Sequence, residues 1–297
     1  MSIHSIPGVV ETHLLRGPTA PEGPARLLVE LPHGATETAH YDHTRAQLRG
    51  SFPEGLSDFF HVNTDIGTPE LALALARELI RRDPSYSVLI VRALIPRTFI
   101  DVNRMLGQSR EAYKAGGVTP GVPPYVRESA DLHHLEQLYW SYQEVALAAF
   151  AEVCGAGGQA LMLHSYAPRT VDVEVDDQIV QSLRAAYEPE RVGQWPLRPE
   201  VDLIGRAPDG SLYADAEQTE RLRLAFDTIG LSMKISATYP LHPSTMAYHH
   251  AMRYPGRTLC LEIRRDLLAD PFDPFVQMHI SPEKVARLVG ALAAGWR

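Results

Sequence analysis

Cysteine is scarce: the 297 residues hold two, Cys154 and Cys260. Neither belongs to a Cys-x-x-Cys pair, which excludes a disulfide scaffold and a thiolate zinc site. No apolar run approaches the ~18 residues that a membrane-spanning helix requires. The amino-terminal Met1-Ser2-Ile3-His4 lacks the basic start and apolar core of a secretory signal, so the chain reads as cytoplasmic. Basic charge is in deficit, 28 Lys and Arg against 36 Asp and Glu for a net charge of −8. No basic block relieves that deficit, which excludes a nucleic-acid groove and an anionic membrane surface as partners. A Gly-x-Ser-x-Gly elbow and a phosphate loop are also missing, so a serine hydrolase or nucleotide enzyme finds no support. What is plentiful is histidine, 13 residues, and with it the means for metal or acid–base chemistry.

Short apolar runs predict strands over 25–31, 87–94, 159–163, 201–204, 233–236 and 258–263. They are continuous rather than alternating, the pattern of strands covered on both faces. Helical periodicity over 69–82, 132–154, 216–229 and 282–296 supplies the covering layers. The reading is α/β, a mixed, mainly parallel central sheet with helices on both faces. One domain over residues 1–297 is expected, with its core at about 26–270 and a carboxyl-terminal helix over 282–296. Two long polar segments, 107–131 and 166–200, read as loops of the kind that carry function. Gly155-Ala156-Gly157-Gly158 follows a helix and precedes a strand, the reverse of a dinucleotide fingerprint, and reads as a helix cap.

In an open α/β sheet ligands bind beyond the carboxyl ends of the strands. His33 in Pro32-His33-Gly34 ends the first predicted strand, His164 in Leu163-His164-Ser165 ends the third, and Glu262 lies in the last. Two histidines and a carboxylate form the protein ligand set of a catalytic zinc with one open position. Glu37 and Asp65 are both candidates for the carboxylate. The segment Pro96-Arg97-Thr98-Phe99-Ile100-Asp101-Val102-Asn103-Arg104 sets two arginines, an acid and an amide among apolar residues. Arginine grips carboxylates in bidentate fashion and stabilises oxyanion charge. Glu262, flanked by Leu261 and Ile263, either pairs with Arg264 or Arg265 or acts as a general base. Tyr248 and His242 lie close enough to a predicted strand end to reach a substrate. His133-His134, on adjacent helical positions, point to different sides and cannot chelate together.

Taken in order, Glu30-Leu31-Pro32-His33-Gly34, Asn63-Thr64-Asp65, Arg97 with Asp101-Val102-Asn103-Arg104, Leu163-His164-Ser165 and Leu261-Glu262-Ile263-Arg264-Arg265 resemble the N-formylglutamate amidohydrolase family. The resemblance spans about residues 26–270. It implies a zinc-dependent exopeptidase-like (phosphorylase/hydrolase-like) fold of the carboxypeptidase and aspartoacylase type. It further implies one zinc per chain on His33, His164 and a carboxylate, with Glu262 and Arg97 catalytic. Asn103, Arg104, Asp101, Ser165 and Tyr248 are implied on the substrate. The exopeptidase pattern His-x-x-Glu would put its acid one residue before Glu37, whereas Thr64-Asp65 matches a Thr-Asp pair of the family, so both acids stand as third ligand. The expected reaction is cleavage of an N-acyl, N-formyl in the family's name, amide of an acidic or related amino acid. The expected partner is a small N-acyl amino acid or a peptide. A metallocarboxypeptidase and a non-catalytic binding protein on the same scaffold are the alternatives.

Overall fold

The computed structural model describes residues 3–296. In chain order the elements are β1 (Val10–Arg16), β2 (Leu27–Leu31), α1 (Thr38–Arg45), α2 (Leu56–Asn63), α3 (Thr68–Arg82), β3 (Ser87–Ala93), α4 (Arg110–Ala115) and α5 (Ser129–Gly155). There follow β4 (Gln159–Tyr166), α6 (Ile179–Ala186), α7 (Pro189–Val192), β5 (Val201–Leu203), α8 (Ala216–Thr228), β6 (Met233–Ile235), α9 (Met246–Arg253), β7 (Thr258–Arg264) and α10 (Pro282–Gly295). The strands form one sheet of order β1-β3-β2-β4-β7-β5-β6. Strands β3, β2, β4 and β7 run parallel, β1 is antiparallel to β3, and β5 is antiparallel to β7. The expected mixed, mainly parallel sheet is therefore present, and all six predicted strands are in it. Strand β1 was not foreseen, because an edge strand reading Val-Glu-Thr-His-Leu-Leu-Arg, half exposed, carries no continuous apolar run.

Alternation along the strands divides the core. Leu27, Val29, Leu31, Leu161, Leu163, Leu259, Leu261 and Ile263 pack against Leu71 and Leu75 of α3, Leu222 and Phe226 of α8, and Leu288 and Leu292 of α10. The alternate residues Leu28, Ala160, Met162 and Cys260 face Leu135, Tyr139, Tyr142 and Phe150 of α5. Successive strand residues point to opposite faces, so a strand buried on both sides is apolar at nearly every position.

Helix α3 begins with Pro69 in its first turn, as the sequence signals. Its preceding residue Gly67 has a φ of 79°, and a Cβ there would stand 2.9 Å from the Leu268 side chain. Only glycine fits that left-handed turn so close to a neighbour. The two long polar segments are not structureless: α4 lies in the first, and α6 and α7 in the second. Among the described residues no helix is long and apolar enough to cross a membrane.

Candidate active site

The parallel strands β2, β4 and β7 deliver three of the predicted groups to one end of the sheet. His33 stands two residues beyond β2, while His164 on β4 is directly paired with Glu262 on β7. Neighbouring strands are about 4.8 Å apart, so the imidazole and carboxylate start from adjacent positions on one face. Asp65 arrives from the turn between α2 and α3. Thr64 Oγ1 donates to the Ala35 carbonyl at 2.7 Å and the Asp65 N–H to the His33 carbonyl at 3.4 Å, lashing that turn to the loop after β2.

The result is a buried triangle. His33 Nδ1 lies 3.1 Å from Asp65 Oδ2, His164 Nδ1 2.9 Å from the same oxygen, and the two Nδ1 atoms 3.2 Å from each other. Nitrogen and oxygen donors at about 2.0–2.1 Å from a tetrahedral ion lie about 3.3 Å from one another. The three donors thus have the spacing, the chemistry and the burial of a metal-binding triad. The opposite ring nitrogen, His33 Nε2, is 2.8 Å from Asp101 Oδ1. A carboxylate there accepts a hydrogen bond from Nε2–H, which leaves Nδ1 with its lone pair toward the triad, the usual support of a metal-binding histidine.

Charge around Asp101 is dense. Arg97 Nη2 donates to Asp101 Oδ2 at 2.8 Å, Arg104 Nη2 lies 3.3 Å from the same atom, and the Asn103 N–H donates to Oδ1 at 2.9 Å. Burial alone would push the Asp101 carboxyl up, but Arg104, Arg97 and His33 together hold it well below the usual carboxylate range. Asp65 is likewise held low, its burial outweighed by His33 and His164. The arginines sit among apolar residues in the sequence because Thr98, Phe99 and Ile100 are the anchor of the loop and are fully buried.

Glu262 contrasts with both aspartates. Its Oε2 is shielded from solvent with no hydrogen-bond partner. Burial raises its pKa, a shift that Asp65 increases and His164 and Arg198 oppose. Neither neighbouring arginine neutralises it: Arg264 pairs with Asp266 at 2.8 Å, and Arg265 donates to the Ser165 carbonyl at 3.1 Å and faces Asp65 at 3.6 Å. An unpartnered carboxylate beside this triangle of donors can take up or release a proton.

A cavity of about 230 Å³ opens over these groups, lined by His33, Asp65, His164, Glu262, Arg97, Asn103, Arg104 and Ser165 among others. Other predicted positions lie differently, and Asp101, expected on the substrate, is behind the cavity wall and holds His33 and Arg97 instead. Glu37 is the N-cap of α1, and its half-exposed carboxylate pairs with Arg92 at 3.0 Å, apart from the triad. The acid one residue too far from the expected spacing is thus occupied at a helix start. Tyr248 packs on Tyr213 from α9 and is not part of the cavity wall, and His242 bonds Ser244 Oγ at 2.9 Å. Ser165 lines the cavity but gives its hydroxyl proton to the Ile66 carbonyl at 2.8 Å. Sequence reading passed over Arg198 and Tyr239, which also line the cavity. No motif marks them, although Arg198 lies in the long segment 166–200.

Residues 25–269 match the N-formylglutamate amidohydrolase family. The chain belongs to that family. It is accordingly a hydrolase of amide C–N bonds, as the order of its motifs implied. The chain is similar in fold to the crystal structure of an N-formylglutamate amidohydrolase from Ralstonia eutropha JMP134, at 17% identity and a TM-score of 0.51, covering 96% of this chain and 95% of that one. It is similar to the same degree, 17% and 0.51, to a gene product of Agrobacterium tumefaciens, covering 98% of this chain and 95% of that one. A comparison with curated proteins finds no match.

Proposed function

We propose that this member of the family is a zinc-dependent amidohydrolase that removes the acyl group from an N-acyl amino acid. The observation that carries the reading is the His33–Asp65–His164 triangle facing an unpartnered Glu262 in one cavity. His33, Asp65 and His164 would hold the ion, and two imidazoles with one carboxylate are the protein ligand set of catalytic rather than structural zinc sites. A bound zinc ion would supply Lewis acidity and would lower the pKa of a neighbouring water.

The protein groups do the rest. Glu262, its pKa raised by burial, removes the proton from the attacking water at its Oε2 and returns it to the amide nitrogen as the C–N bond breaks. The products are a carboxylic acid and a free amine. Arg97, partly open to the cavity and held by Asp101, supplies positive charge for the developing oxyanion. Asp101 then acts on the substrate indirectly, by fixing the His33 tautomer and aiming Arg97. Asn103 and Arg104 form the adjoining wall.

The test is elemental analysis of protein purified without chelators, together with amine release from N-acyl amino acids. The parent is expected to hold about one zinc per chain. His33→Ala, His164→Ala and Asp65→Asn are expected to lose it, and Glu37→Gln to keep it. Metal that survives Asp65→Asn but not Glu37→Gln would overturn the ligand set.

A further inference from the structure

Arg198 stands apart from the other cations of the cavity. Arg97, Arg104 and Arg265 each lie beside Asp101 or Asp65, so their charge is balanced within the protein. Arg169 turns its Nη1 to the carbonyls of Gly193 and Trp195. The Arg198 guanidinium meets only neutral acceptors: Nε donates to Thr170 Oγ1 at 3.1 Å, Nη2 to the Tyr239 hydroxyl at 2.8 Å and Nη1 to the Ala167 carbonyl at 3.5 Å. Its charge also lies over the rings of Tyr166 and Tyr239, 5.0 and 5.6 Å from their centroids. That position is built in. The fully buried Asp202 accepts the N–H groups of Ala237 and Thr238 at 3.1 and 2.7 Å, which sets the turn that carries Tyr239. Glu262 is the cavity acid whose charge Arg198 feels, but among the described residues no carboxylate is within hydrogen-bond or ion-pair distance of it, and a held, planar guanidinium so placed can receive one.

Another wall of the cavity has the opposite character. In Val171-Asp172-Val173-Glu174-Val175-Asp176 apolar and acidic residues alternate, and the three valines are part-buried while Asp172 and Glu174 between them are exposed. The valines line the cavity with Ile179 and Leu183, while Glu174 and Asp177 pair outward with Arg110 and Arg127. A carboxylate laid against the valines would lose its hydration without a donor to replace it.

We propose that Arg198 is a specificity-determining residue. It receives the single carboxylate of the substrate, and the valine face receives an uncharged aliphatic side chain. The preferred substrate is therefore an N-acyl amino acid of aliphatic rather than acidic type. This rests on the amidohydrolase reading above, and assigns its recognition end.

The experiment measures amine release by the zinc-loaded enzyme from the N-formyl and N-acetyl forms of leucine, glutamate and leucinamide. The leucine compound is expected to exceed the glutamate one in kcat/KM by about 10-fold or more, and the leucinamide by about 100-fold or more. Arg198→Met should cost the leucine compound about 100-fold, chiefly in KM, and close its gap to leucinamide. Val173→Lys should move the preference toward glutamate, and it keeps the test open if Arg198→Met does not fold. A parent enzyme that prefers glutamate overturns the inference while leaving the amidohydrolase reading intact. So does an Arg198→Met variant that loses acid and amide equally, since that is a structural effect. Turnover of none of the compounds would overturn both.

Discussion

The two faces of the central sheet are made by alternate residues of the same strands, yet they are opposite in character. Toward α3, α8 and α10 the residues of β4 and β7 are Leu161, Leu163, Leu259, Leu261 and Ile263, all buried in an aliphatic layer. Toward the cavity and α5 the same strands, with β2, present Glu30, Met162, His164, Cys260 and Glu262. One face holds the fold and the other spends part of that stability on charge. Removing a buried aliphatic group costs a transfer and a cavity term, whereas a buried carboxylate without a partner is itself a cost. Even Glu30, whose Oε1 accepts the Tyr142 hydroxyl at 2.8 Å, has its pKa raised by burial.

That division can be broken at chosen residues. The largest effect is expected on the polar face. Glu262→Gln should reduce turnover by about 1,000-fold or more while metal content stays at the parent level. Its stability should equal or exceed the parent's at neutral pH. A pKa raised in the folded state means stability is lost as pH rises through that pKa, and the amide removes this loss. Calorimetry and amine release on one sample decide it, and a destabilised but active variant would reverse the contrast. On the opposite face, Leu261→Ala should cost about 2–5 kcal/mol in a denaturant titration. Metal binding by the folded fraction should not change.

A smaller effect is expected one shell away from the triad. Asp101→Asn should weaken metal affinity by about 10–100-fold, read by competition with a chelator, because the His33 tautomer is no longer fixed. Equal affinity would show that Asp101 serves only the arginines. The smallest effect concerns His250, stacked on Phe150 at a centroid distance of 3.7 Å on the α5 side of the sheet. Burial lowers its pKa from 6.5 to about 3. Between those values the unfolded chain binds the proton and the folded one does not, so stability falls with falling pH. The slope is about 1.4 kcal/mol per pH unit where that difference is complete. His250→Phe should remove that share of the acid sensitivity, checked by melting both proteins from pH 7 to pH 4.

The alternation that separates the faces also governs what could be read in advance. Strands β2, β4 and β7 are apolar over most of their length and announced themselves, and His33 and His164 were visible as polar residues at the predicted strand ends and Glu262 as one inside the last. Helix α3 was equally plain from its Pro69 and its apolar stripe. Edge strand β1 was not, since half-exposed residues need no apolar run. The choice between Glu37 and Asp65 was also closed to local reading. Glu37 is four residues from His33 but serves a helix start, while Asp65 is 32 residues away and reaches the ring. Arg198 carried no motif, although the valine–acid alternation earlier in the same long segment was in plain sight.

Sequence alone therefore determined the α/β class, the buried strands and a list of groups able to do the chemistry, because hydrophobic period and chain punctuation are local properties. The tertiary structure decided which of those groups meet. His33 and His164 stand 131 residues apart and Asp65 and His164 stand 99 apart, so each contact depends on strand order and on loop hydrogen bonds. Whether a carboxylate is capped, paired or left without a partner is settled by that packing. No spacing in the chain contains it.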